Sequence, residues 1–266
     1  MKFQYLGTSA AEGVPALYCD CKNCMKARAL GGKNLRSRSQ AVIDDTILID
    51  FPPDTYLHYY VHNFPLPKIK HIFVTHTHAD HLQLDDIVMR KTGLANLSDP
   101  SPLNFYGSPD VSKTITQKKV NHEMPDSDIL IHTLKPYETY EVEGYSITPL
   151  PAVHGGYDIS GKNGNKNSQF IPYTYIIEKD GKSMLYHHDS DFYADETFEF
   201  LVKRNKPFNF VSIDCTNGID KKKSIGHLGL DEAIIIRDEF IKNGIANKNT
   251  IFAYKCFILP ALPADL

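Results

Sequence analysis

The segment Thr75-His76-Thr77-His78-Ala79-Asp80-His81 constrains this chain more than any other part of it. It directly follows His71-Ile72-Phe73-Val74, a run apolar enough for a central strand of a sheet. Where a strand releases the chain into a loop, alternate residues such as His76 and His78 can point the same way. Asp80 and His81 then turn toward a second position nearby. Three imidazoles and a carboxylate in so short a span exceed what one tetrahedral metal needs. They suit two ions sharing a bridging water.

The rest of the chain supplies a setting of short strands and interspersed helices. Strands are expected at Lys2–Leu6, on either side of Asp44-Asp45 within Ala41–Asp50, and at Ile69–Thr75, Ile129–Leu134 and Tyr145–Leu150. Tyr173–Ile177 and Ser183–His187 flank Asp180-Gly181, a hairpin signal. Phe208–Asp214 reads as a strand, and Thr250-Ile251-Phe252 as the start of another. Helical spacing occurs at Leu84–Lys91, Thr197–Arg204 and Leu230–Lys242. The last has Asp231 and Glu232 where the helix dipole favours negative charge, and Gly244 just past its end. With no repeat and only one polar loop (Gly161–Asn167), the pattern predicts one mixed α/β domain over residues 1–266.

Charge narrows the partners. The net charge is −3, and the longest basic runs, Lys118-Lys119 and Lys221-Lys222-Lys223, read as solvated surface. A nucleic-acid binder needs a concentrated basic face to neutralise phosphates, so a long polyanion is a poor candidate partner. No apolar stretch has the length of a membrane span or signal core, and a cytoplasmic location is expected. Three of the five cysteines crowd into Cys19-x-Cys21-x-x-Cys24. Thiols this close pair poorly with one another, and a reducing compartment favours metal binding over disulfides.

His-x-His-x-Asp-His after a strand resembles the metallo-β-lactamase superfamily. The resemblance implies an α/β fold, a four-layer αβ/βα sandwich with metals at the sheet edges. Asp50, closing the strand Ile47-Leu48-Ile49, looks like the family's acidic residue that braces the loops. His154, in Pro151-Ala152-Val153-His154-Gly155, looks like the third histidine of the first metal site. Asp189, after Leu185-Tyr186-His187-His188, looks like the carboxylate shared by both metals; Asp191 is the alternative, and the plain alternative for His187 and His188 is that they are simply exposed. His76, His78 and His154 would hold one ion, and Asp80, His81 and Asp189 the other. Asp80 thus stands among the residues expected to act in catalysis.

A narrower resemblance, over roughly residues 1–250, is to the PhnP group of the carbon–phosphorus lyase pathway, which opens a five-membered cyclic phosphate on a phosphoribosyl unit. It rests on Leu6-Gly7-Thr8-Ser9-Ala10-Ala11-Glu12-Gly13-Val14-Pro15, the three cysteines, Ile213-Asp214-Cys215-Thr216, and Gly226-His227-Leu228-Gly229-Leu230-Asp231-Glu232-Ala233. It implies two divalent ions (Mn or Zn) in the active site and a structural zinc on Cys19, Cys21 and Cys24. It also implies attack by a metal-bridging hydroxide, with His227 protonating the leaving alkoxide; the plainer reading of His227 is a surface histidine before a helix. A small phosphodiester is the expected substrate, and a homodimer is compatible with the group.

The C-terminal segment departs from that pattern. The group's terminal histidines, one for the second metal and one for the zinc, have no counterpart among residues 253–266. Cys256 is a candidate fourth zinc ligand, and Tyr254 is the nearest match to the absent metal-binding histidine. Three alternatives stand beside the phosphodiesterase: a relative of the tRNA 3′-processing endonucleases, a relative of PqqB, and a catalytically weakened metal-binding protein.

Overall fold

The computed structural model describes residues 1–91, 93–162, 164–219 and 226–256. The run Lys221-Lys222-Lys223 and the tail 257–266 lie outside the described residues, as does the side chain of Cys256. The chain divides into two compact units, Met1–Leu134 and Lys135–Leu266.

The first unit is built on a six-stranded sheet in sequential order: β1 (Phe3–Gly7), β2 (Gln40–Ile43), β3 (Ile47–Ile49), β4 (His71–Phe73), β5 (Leu103–Gly107) and β6 (Ile129–Thr133). β1, β2 and β3 pair antiparallel, and β3 to β6 pair parallel. Asp44 and Asp45, both at positive φ, turn β2 into β3 where the sequence places a break. Helices α1 (Lys22–Leu30), α2 (Thr55–His62) and α3 (Pro109–Asn121) complete the unit. Parallel strands need crossovers, and α2 and α3 supply two of them. Ser108 precedes α3 and Pro109 opens it, where a missing backbone N–H costs nothing.

The second unit carries a sheet of six strands: β7 (Tyr140–Val142), β8 (Tyr145–Pro151), β9 (Tyr173–Lys179), β10 (Lys182–His187), β11 (Phe210–Cys215) and β12 (Ile251–Cys256), again in sequential order. β7 to β10 form an antiparallel meander; β10, β11 and β12 pair parallel, with α4 (Asp195–Lys203) and α5 (Leu230–Lys242) as crossovers. The β9–β10 turn is the Asp180-Gly181 pair, both at positive φ, a geometry that matches strand twist. Glu232 accepts a hydrogen bond from the Gly229 backbone N–H at 2.8 Å and starts α5 where the acidic pair predicts.

One expectation and one alternative change. Leu84–Lys91 is not an α-helix: Asp85–Arg90 winds as a tighter 3₁₀ segment, with Lys91 N–H bonded to the Val88 carbonyl. His187 and His188 are buried rather than exposed, because β10 lies between β9 and β11. Among the described residues, no helix is long and apolar enough to cross a membrane.

Each sheet has its own apolar cluster. In the first unit Leu48, Ile72, Phe105 and Ile115 pack together, with Ile72 and Phe105 fully buried. In the second, Leu185, Val211, Ile213, Ala233 and Phe240 do the same. Strand β4, which delivers the histidine loop, is anchored by this packing. Ile72→Ala should therefore lower unfolding free energy by about 2–5 kcal/mol, through lost transfer energy plus a cavity. Denaturant unfolding would read this, and a change below about 1 kcal/mol would show that β4 is not held by its core contacts.

Candidate metal centre

In the first unit the strand ends organise the histidine loop. Asp50 follows β3 at φ +66°, a left-handed conformation that Asp tolerates better than most L-residues. Its carboxylate is fully buried and accepts the Thr75 backbone N–H at 2.7 Å, the Thr75 hydroxyl at 2.9 Å and His81 Nδ1–H at 2.7 Å. Thr75 spends its only hydroxyl proton on Asp50, so toward His76 Nδ1, 3.0 Å away, it is the acceptor. Both His76 and His81 thus carry their protons on Nδ1, and both present a lone pair at Nε2. This is the tautomer that metal-ligating histidines adopt when a second group orients them.

His76 Nε2 lies 3.0 Å from His78 Nδ1, so the two rings bring a nitrogen each to one place. His76 and His81 are buried, whereas His78 is exposed. Asp80 is half-buried, its Oδ2 3.4 Å from His81 Nε2. The loop therefore pairs His76 with His78 and Asp80 with His81, and imidazole and carboxylate donors of this kind fit divalent ions.

In the second unit His154 follows β8 and is buried. Its Nδ1–H donates to the Gly226 carbonyl at 3.0 Å, which again leaves the lone pair on Nε2. Gly226 sits at φ +87°, and a Cβ there would stand 3.0 Å from both the Cα and Nδ1 of His154. Only glycine permits that approach. Asp189 follows β10 at φ +47° and is buried, while Asp191 is half-exposed. Asp189, Asp214 and His227 each offer a ligand atom, and these atoms lie within 4.8 Å of one another. Between the two carboxylate candidates, Asp189 and not Asp191 stands in such a group among the described residues.

His227 is largely buried, and its Nδ1–H donates to Asp214 Oδ2 at 2.8 Å. Burial, the strongest influence, pulls its pKa down; the hydrogen bond and charge of Asp214, with the charge of Asp189, outweigh this and hold it above the ordinary imidazole value. Asp214 is further held by the backbone N–H groups of Thr216 (2.6 Å) and Ser190 (3.2 Å). His227 also packs edge-to-face on His154, ring centroids 4.7 Å apart.

Two residues of this cluster carry no role in the sequence reading. Asp214 is the last residue but one of β11, near a strand end as Asp50 and Asp189 are, and that shared placement is the signal that could have found it. Lys255 is the other. Its Nζ lies 3.1 Å from Asp189 Oδ1, with both side chains buried. Position 254, the expected counterpart of the family's histidine, does not face this cluster: Tyr254 packs against the apolar core of the second unit. Alternation along a strand accounts for this, since neighbouring residues point to opposite faces.

The cysteine loop stands apart in the first unit. Cys19, Cys21 and Cys24 bring their sulfurs within 4.8 Å of one another, and none is in a disulfide. Sulfurs bound to one zinc at 2.3 Å would stand about 3.8 Å apart, so the three fit such an ion with little movement. Cys21 precedes α1; its thiol pKa is lowered, first by the Cys24 backbone N–H and then by the neighbouring thiols. The Cys19 thiol shifts the other way: the Cys21 backbone N–H lowers it, but the Cys21 and Cys24 thiols and burial outweigh this and raise it. Cys215 is buried at the end of β11, as a core thiol should be.

A sequence profile described as Beta-lactamase superfamily domain matches residues 45–242. Ribonuclease Z of Pyrococcus horikoshii is 28% identical over 147 residues, covering 52% of this chain and 47% of the relative. The chain spans about half the length of the curated relatives it matches. Among solved structures, a diphosphatase from the PhnP family superposes with a TM-score of 0.66 at 22% identity, covering 98% of this chain and 91% of that one. The short form of human tRNase Z superposes with a TM-score of 0.66 at 16% identity, covering 99% and 100%.

Two outcomes are expected from this geometry. Asp50→Ala strands the Thr75 and His81 donors in the core and frees two ring orientations. Unfolding free energy should fall by about 3 kcal/mol or more, and zinc affinity about 10–100-fold by calorimetry. Unchanged affinity would mean that Asp50 does not orient the imidazoles. Cys21→Ser should lower thermal stability and remove one bound zinc. A variant that keeps its zinc content and melting temperature would exclude a structural ion at the cysteines.

Proposed function

Because the chain belongs to the beta-lactamase superfamily and shares its fold, we propose that it is a metal-dependent hydrolase of a small phosphodiester. The observation that carries this reading is the tautomer control described above. One buried carboxylate turns the ring nitrogens of two loop histidines into lone-pair donors. Such wiring serves cation binding and has no use in a solvated histidine cluster.

In this reading His76, His78 and His154 hold one divalent ion, Asp80, His81 and Asp189 form the second ligand set, and Cys19, Cys21 and Cys24 hold a structural zinc. Divalent ions supply a water deprotonated near neutral pH and neutralise charge on phosphoryl oxygens. The chain itself supplies the proton for the leaving group. His227, kept protonated by Asp214, donates it to the departing alkoxide oxygen. The Asp214 carboxylate fixes the ring through Nδ1, so Nε2–H is the proton delivered. A phosphoribosyl cyclic phosphate, with a poor alkoxide leaving group, is the substrate such an acid suits.

A second reading, RNA 3′ processing, is favoured by the ribonuclease Z matches. The net charge of −3 favours the small substrate instead. Turnover of cyclic ribose phosphates, an aryl phosphodiester and a precursor tRNA, each with Mn²⁺ and with Zn²⁺, separates the two; efficient cleavage of the tRNA alone would overturn the small-substrate reading.

His227→Ala should cut turnover of an alkyl or cyclic phosphodiester about 10²–10⁴-fold, with metal content unchanged. An aryl phosphodiester, whose leaving group needs little protonation, should lose far less. Equal losses on both substrates would assign His227 to positioning rather than proton donation.

A further inference from the structure

The pairing of Lys255 with Asp189 changes how many ions this centre can hold. Strand β12 pairs parallel with β11 in a register that sets Lys255 beside Asp214. From there Nζ reaches Asp189 Oδ1 at 3.1 Å, with none of the lysine side chain and 5% of the aspartate side chain exposed. A lysine buried to this degree is rare unless paired, because stripping an ammonium of water is compensated only by a close opposite charge. The contact is therefore a built part of the second unit.

We propose that Lys255 is the resident cation of Asp189 and stands in for a second divalent metal, so that the centre takes up one such ion. The inference rests on the reading above in which Asp189 is a metal ligand. A carboxylate that served two ions would have to offer lone pairs to both, through one oxygen or two. Here Oδ1 already accepts from an ammonium. An ammonium has three donors and no lone pair, so it adds nothing to a cation's ligand shell. It also repels a divalent ion with twice the strength it would show toward a single charge. A histidine at this place would do the opposite on both counts. What the ammonium offers is a fixed positive charge that chelators do not remove, close to where a phosphoryl group gathers negative charge.

The test is Mn²⁺ titration of the full chain by calorimetry, with native mass spectrometry to count ions. Mn²⁺ favours nitrogen and oxygen donors and leaves the cysteine loop out of the count. The wild-type chain should bind one Mn²⁺. Lys255→His should bind two, the second about 10²-fold tighter or more than in the wild type. Lys255→Arg keeps the charge and should stay at one. Lys255→Met, which buries without a charge, should gain a weaker second ion and decides the matter if Lys255→His does not fold. Two ions of similar affinity in the wild type would overturn the inference and leave the metal-centre reading intact. One ion in every folded variant would overturn it too, by showing that Lys255 does not exclude the second. No Mn²⁺ or Zn²⁺ beyond the cysteine-bound ion in any variant would overturn the metal-centre reading and this inference together.

Discussion

The Asp50 carboxylate is the contact on which the histidine loop depends. It is buried, held at a left-handed backbone position, and surrounded by N–H and O–H donors rather than by a formal cation. A buried charge is tolerated only when hydrogen bonds replace its water, and each bond here has a consequence. The backbone bond pins the start of the loop to the end of β3. The hydroxyl and imidazole bonds propagate one requirement, a proton on Nδ1, to two rings. Ring tautomer and loop geometry are thus set by the same atom pairs.

The second unit repeats the device with different chemistry. Three parallel strands, β10, β11 and β12, run in the same direction and release Asp189, Asp214 and Lys255 at or near their C-terminal ends. Ligand sites in α/β sheets gather at such ends because loops there vary without disturbing the strand pairing. Asp214 serves His227 as Asp50 serves His81, each carboxylate accepting from Nδ1. Asp189 differs in having an ammonium for its neighbour. One carboxylate thus orients an imidazole, and another pairs with an ammonium.

This division of labour bears on the competing functional readings. The alignment of His227 by a dedicated carboxylate, which raises its pKa, is the feature that sets the proposed phosphodiesterase apart from the proposed binding protein. The cysteine loop lies on different elements from the histidine loop, and a four-coordinate site there would leave no open position for a substrate. In the proposed reading such an ion would tie down residues 19–24, where Cys19 and Cys24 are half-buried and Cys21 is exposed.

What the sequence determined by itself was local. The histidine loop was legible because its chemistry is crowded into one short segment after one apolar strand. The Asp180-Gly181 hairpin and helix Leu230–Lys242 were legible because turn and cap residues act on their immediate neighbours. Helices α1, α2 and α3 were missed. In α2, Tyr56, Leu57, Tyr60 and Val61 are exposed, so its apolar residues mark no buried face. Strand β5 was missed too, its identity set by pairing with β4 and β6 rather than by its own alternation. The partners of the functional residues were decided by tertiary structure alone. Asp214 meets His227 and Lys255 meets Asp189 through strand register and chain crossover, which bring distant residues together. A one-residue difference in register separates Tyr254 in the core from Lys255 at the carboxylate. Sequence spacing cannot resolve that difference, because which face of a strand meets a site depends on the neighbouring strands.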